Sequence, residues 1–246
     1  MRIVTTTVGC KGPEGEGRNQ ERLRAAERAI AKAAQKLQAD LIVLPAGFFT
    51  TQTSRARENI ADSLISIADR LGIGIAFGVD QEVKDLNRRW EREIRSEGLP
   101  FYGYAWSPNE GITHCWKQRS TNSSDQWLAP LQRCKEPRLV PVSGEPVAVL
   151  MCGEIFNQRI RDALANHPIR PKVVVDLAHI GAGFRVWQGM KKLVELGLAS
   201  VCSVHTQSRY AVKYCYVPGR GRISARIPDD WVFGPPRIEL KVWTFQ

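Results

Sequence analysis

The sequence contains no apolar stretch long enough to span a bilayer, no internal repeat and no low-complexity linker that would divide it, so one domain over residues 1–246 is expected. No secretory leader is expected either: Met1–Gly9 is short, runs straight into Cys10-Lys11 and has no apolar core before a cleavage site. Its six cysteines include no C-x-x-C pair, and no histidine stands at metal-ligand spacing from a cysteine. Neither a disulfide framework nor a structural zinc is therefore expected, and reduced thiols point to a cytoplasmic protein without a metal. No block of five like charges occurs despite a formal net charge of +10, because basic residues are interleaved with acids, as in Arg88-Arg89-Trp90-Glu91-Arg92-Glu93. That interleaving argues against nucleic acid as the partner and leaves an anionic small molecule as an equally good reading of the charge. A basic, nucleic-acid-associated α/β protein stays as an alternative.

What is present is enough apolar residue, 43%, for a sizeable core. Arg2–Val8 reads as a strand. Asn19–Leu37 has Leu23, Ala26, Ile30, Ala33, Ala34 and Leu37 at helical spacing, and Leu41–Leu44 is a short apolar strand closed by Pro45. Ala46–Thr50 reads as a loop, Ser54–Leu71 as a second helix and Gly72–Val79 as a third strand. Glu82–Glu97 is a charged, solvated, helix-like excursion. Phe101–Trp106 and Ile112–Gln118 flank a Ser-Pro-Asn-Glu-Gly turn, and Arg138–Pro141 and Pro146–Met151 form a second hairpin. Between the hairpins lies a long polar loop, Ser120–Glu136, of a length usually reserved for function. Then come helix Gln158–Asn166, strand Lys172–Leu177, helix Phe184–Leu198, strand Ala199–His205, a hairpin Tyr210–Val217/Arg222–Ile227 and a closing strand Arg237–Phe245. The two halves have similar content. They predict an α/β fold with four layers, αββα: two mixed sheets face to face with helices outside.

The chain is organised around Val147–Asn157. Val147–Met151 is a non-alternating apolar run that suits a buried strand, and Asn157 stands where a helix N-cap belongs. Cys152 thus falls at the rim where a central strand gives way to a helix, the place where open α/β sheets put their chemistry. A thiol there can attack an electrophile, and the Gly153 N–H can stabilise the resulting oxyanion. The competing reading is a buried, inert cysteine.

Three stretches together resemble the nitrilase superfamily, carbon–nitrogen hydrolases built as αββα sandwiches around a Glu–Lys–Cys triad. They are Asp40-Leu41-Ile42-Val43-Leu44-Pro45, then Gly111-Ile112-Thr113-His114-Cys115-Trp116-Lys117, then Val149-Leu150-Met151-Cys152-Gly153-Glu154-Ile155-Phe156. Their order and spacing extend the resemblance from Arg2 to about Ile227. It implies Cys152 as nucleophile, Lys117 as the ammonium beside the tetrahedral intermediate, Gly153 as oxyanion donor and Glu154 as a buried supporting acid. It implies Phe48, His179 and Phe184 near the substrate, and no metal or organic cofactor. The substrate would be a small amide, carbamoyl or nitrile compound, and the assembly a homo-oligomer, commonly a dimer.

One departure is serious. Directly after Pro45, where the family has its glutamate, stands Ala46, and a methyl group cannot take a proton. Losing a general base typically costs about two to four orders of magnitude in rate. Three explanations are open: a deliberate Glu-to-Ala change, a natural pseudoenzyme with a binding or regulatory role, or another acid in its place, with Glu154, Asp125 and Glu14 as candidates.

Overall fold

The computed structural model describes residues 1–9, 16–82, 99–120, 138–179, 183–206, 214–225, 232–233 and 236–246. All but the first residue of the Glu82–Glu97 excursion, most of the Ser120–Glu136 loop, Asp125, Glu14 and the Phe184 side chain lie outside the described residues.

In chain order the elements are β1 (Arg2–Gly9), α1 (Asn19–Gln35), β2 (Leu41–Val43), β3 (Phe49–Thr51), α2 (Ser54–Arg70), β4 (Gly74–Gln81), β5 (Leu99–Trp106) and β6 (Thr113–Gln118). The second half runs β7 (Leu139–Val142), β8 (Glu145–Met151), a 3-10 turn Cys152–Phe156, α3 (Gln158–Ala165), β9 (Val173–Ala178), α4 (Gly183–Glu195) and β10 (Ala199–Thr206). It ends with β11 (Tyr214–Val217), β12 (Gly221–Ser224), β13 (Val232–Phe233) and β14 (Arg237–Thr244).

Side-chain alternation sorts the core into three clusters, and these define the layers. On the outer face of the first half, Val4, Ile42, Ile75 and Phe77 pack under the alanine-rich stripe of α1 (Ala25, Ala26, Ala29, Ala33) and under Ile60 and Leu64 of α2. On the inner face, Ile3, Val43, Ala76 and Trp116 meet Val147, Val149, Met151, Val173 and Val175 of the second half. Beyond that, Ala148, Leu150, Val174 and Val204 carry Val186, Met190 and Leu193 of α4. This is the αββα layering the sequence predicts. The inner faces meet so closely that a Cβ on Gly103 of β5 would lie 2.6 Å from the Met151 sulfur.

The strand order is β6-β5-β4-β2-β1-β10-β9-β8-β7. The two expected sheets are thus halves of one continuous hydrogen-bonded ladder, joined where Thr7–Gly9 of β1 run parallel to Val204–Thr206 of β10. A second difference lies after Pro45. Where a plain loop is expected, Phe49–Thr51 returns as the short strand β3, parallel to Val79–Gln81 at the end of β4. The chain leaves the ladder at Pro45, which has no N–H to donate, and rejoins it four residues on.

Candidate active site

Met151 is in register with Leu177, so β8 and β9 finish side by side. Cys152 follows β8 immediately, and His179 follows Ala178, the last residue of β9. Asp80 is the penultimate residue of β4, and Ala46-Gly47 follow β2. These strand ends bring their residues together.

Cys152 is partly exposed and has φ of 45°, the left-handed region that residues with a Cβ avoid. The backbone reverses there from strand into the 3-10 turn, and Asn157 then caps α3 by accepting from the N–H groups of Arg159 (3.0 Å) and Ile160 (3.4 Å). Gly153 is buried inside the turn.

Glu154, fully buried, holds the corner in place. Its Oε2 accepts from the Met151 N–H at 3.0 Å and from the Arg138 guanidinium, and its Oε1 accepts from the Arg119 N–H at 2.6 Å. Arg138 donates its other nitrogen to the Lys117 carbonyl at 2.9 Å. The corner that carries Cys152 and the strand that carries Lys117 are therefore tied through one ion pair. The Lys117 ammonium stands 5.6 Å from the Tyr102 ring centroid, and the Arg57 guanidinium lies 3.8 Å from the same centroid. With its oxygens spent on a guanidinium and two backbone N–H groups, Glu154 is a structural anchor, and this corrects its candidacy as a replacement base.

Ala46 is fully buried in the inter-sheet core. A Cβ on Gly78 of β4 would lie 2.7 Å from the Ala46 Cα, so only glycine allows this approach. Gly47, at φ of 73°, is pressed from the other side: a Cβ there would lie 3.0 Å from His179 Cδ2, 3.1 Å from His205 Nδ1 and 3.5 Å from Asp80 Oδ2. Phe48 is fully buried in the helix-side core, its ring 4.7 Å from that of Phe49, so it is packing material and not an open wall of the site.

His179 Nε2 lies 2.9 Å from both oxygens of Asp80, with the two side chains 20% and 15% exposed. Burial alone would push the imidazole down, but the Asp80 carboxylate and the Cys152 sulfur, both hydrogen-bonded to it, hold it well above its ordinary range. Asp176, on β9 and 1% exposed, is pushed well above the usual carboxylate range by burial first, then by Cys152 and Glu154. The Cys202 thiol, 3.6 Å from Asp176 Oδ2, is pushed up by the same burial and by that acid.

Sequence reasoning named His179 but missed Asp80. The available signal was an acid placed directly after an apolar strand, Gly72–Val79. A cavity of about 520 Å³ lined by His114, Trp116, Leu139, Pro141, Pro146 and Ile169 includes none of these groups. Among the described residues no three His, Cys, Asp or Glu are grouped to hold a metal, and no helix is long and apolar enough to cross a membrane.

Neither a scan of family models nor a search of curated proteins gives a match. Solved structures do match over nearly the whole chain, among them those of an amidase of the nitrilase superfamily. An amidase from Nesterenkonia sp. AN1, in a Cys-to-Ala mutant, superposes with a TM-score of 0.67 at 14% identity over 98% of this chain and 89% of that one. A Glu-to-Gln mutant of the same amidase, whose active-site cysteine carries the acetamide moiety of fluoroacetamide, gives 0.66 at 13% identity over the same shares. The tag-free enzyme gives 0.66 at 12% identity over 100% and 93%. The protein thus has the fold of the nitrilase-superfamily amidases.

Proposed function

We propose that this protein is a cysteine-dependent carbon–nitrogen hydrolase of the nitrilase superfamily, acting on a small non-peptide amide, carbamoyl or nitrile compound. The observation that carries this reading is Cys152 itself: partly exposed, at φ of 45°, at the end of a buried strand, on a turn anchored by Glu154. Backbone strain of this kind persists where the surroundings over-determine it, and it clusters at functional sites.

For an amide, the Cys152 sulfur adds to the carbonyl carbon as the C=O π electrons move to oxygen. The Gly153 N–H and the Lys117 ammonium stabilise that oxygen. Collapse expels the amine with a proton and leaves a thioester, which water then hydrolyses to free the acid and the thiol. The likeness to an amidase whose Glu-to-Gln mutant still takes an acetamide group on its cysteine supports fluoroacetamide as a probe. A homo-oligomer in the cytoplasm completes the proposal.

The test is incubation of the full chain with fluoroacetamide, with mass mapping of the adduct, and ammonia release from short aliphatic amides. An acetamide adduct on Cys152, and turnover lost at least a hundredfold in Cys152→Ala, support the reading. No adduct and no turnover overturn it. Ala46 favours a second reading, a binding or regulatory protein on the same scaffold. An adduct without turnover in the native chain, together with turnover in Ala46→Glu, would decide for that one.

A further inference from the structure

Ala46 leaves the thiol without the acid that the resemblance assigns to its position, yet a different proton acceptor stands beside the same loop. We propose that His179, oriented by Asp80, is the general base for Cys152, so that the site works as a Cys–His–Asp relay. This rests on the reading of Cys152 as nucleophile and adds to it the group that handles the proton.

The geometry assigns the atoms. A carboxylate can only accept, and Asp80 presents both oxygens to His179 Nε2 at 2.9 Å, so Nε2 carries the hydrogen. With Nε2 engaged by Asp80, Nδ1 is the ring nitrogen left for the Cys152 sulfur, and because Asp80 and that sulfur favour the charged ring, Nδ1 keeps a proton that it takes from the thiol. Three strand ends supply the three groups: β8 the sulfur, β9 the imidazole and β4 the carboxylate. The Phe101 ring, centred 4.9 Å away, buttresses the imidazole. Gly47 is what lets the pair sit so close to the Ala46 loop, because any Cβ there would meet His179 Cδ2 at 3.0 Å. Among the described residues, Asp176 on β9 also interacts with the ring's charge, and His205 faces Gly47 from β10.

The proton balance closes with water as the only co-reactant. His179 Nδ1 takes the thiol proton before the sulfur attacks, and passes it to the departing nitrogen once the S–C bond is in place and the C–N bond breaks. It then takes a proton from the water that attacks the thioester, and gives that proton to the leaving sulfur. Asp80 transfers nothing; it fixes the tautomer and stabilises the imidazolium, the role of the third member of such a relay.

The experiment separates this proposal from the hydrolase reading by following Cys152 alkylation with iodoacetamide, which needs no substrate. Rates are measured from pH 5 to 10 by mass mapping on the full native chain and on His179→Gln, Asp80→Asn and Gly47→Val. Expected results are a fall of about tenfold or more at pH 7 in His179→Gln, recovered as the pH rises toward the range of an unassisted thiol, and a smaller fall in Asp80→Asn. Gly47→Val, which displaces the ring without removing it, should fall in the same direction. Asp80→Asn is nearly isosteric and guards against misfolding of the histidine variant.

If Cys152 alkylates with the native pH profile in His179→Gln and Asp80→Asn, the relay is overturned, whether or not the native chain hydrolyses amides. If alkylation depends on His179 but no amide, carbamoyl or nitrile compound is turned over, the relay stands and the hydrolase reading falls.

Discussion

Arg138 and Glu154 form an ion pair sealed from solvent, with side chains 6% and 0% exposed. The pair joins the Cys152 corner to the Lys117 strand through two more hydrogen bonds, to the Lys117 carbonyl and from the Arg119 N–H. A pair of this kind is hard to break from one side, because the survivor is left as an uncompensated buried charge.

Arg138→Met is therefore expected to destabilise the protein by about 3–5 kcal/mol in urea unfolding. Arg138→Met combined with Glu154→Leu should recover a large part of that loss, since the orphaned charge goes too. Additive losses in the double-mutant cycle would show that the two side chains act independently.

Asp176 gives a pH-dependent prediction. Its folded-state pKa is raised above the unfolded value of about 3.9, so between the two values the native state binds more protons than the unfolded chain. Its contribution to stability is fully present below the unfolded pKa and is lost as pH rises through the folded one. Asp176→Asn cannot titrate. Its melting temperature relative to the native chain should climb as pH rises from 4 toward 8, and a difference that stays flat across that window would contradict the assignment.

Gly78→Ala tests the contact between β4 and the Ala46 loop. The new methyl would meet the Ala46 Cα at 2.7 Å, which is backbone and cannot swing aside. Overpacking of this kind costs about 1–3 kcal/mol. Gly144→Ala, where nothing lies within 4 Å but φ is 78°, separates crowding from backbone strain. Its cost should be about 1 kcal/mol, from the conformation alone.

Asn157→Ala removes the cap of α3 and should cost about 1 kcal/mol, read as a lower urea midpoint at unchanged m-value.

The layers were legible because hydrophobic period carries them: Val147–Met151 and Val173–Val175 read as buried strands, and the α1 stripe reads as a helix. The Cys152 corner was legible for a local reason, an apolar run ending in Cys-Gly-Glu with Asn157 three residues further on. The continuity of the ladder was not, since the pairing of Thr7–Gly9 with Val204–Thr206 joins residues almost two hundred positions apart, and periodicity does not encode a partner. Asp80 was missed for the same reason. Its importance comes from a histidine ninety-nine residues away, and a lone acid after a strand reads as an ordinary end of sheet. Glu154 was read correctly as a buried acid, but its commitment to Arg138 could not be seen without the fold.

The left-handed backbone at Cys152 has a consequence of its own. Glycine would occupy that conformation with about 1 kcal/mol less strain, so Cys152→Gly should melt higher than the native chain while losing the thiol at this corner. The sulfur occupies a corner where the polypeptide would rest more comfortably with no side chain at all, and any selection of this protein for heat resistance alone should discard it early.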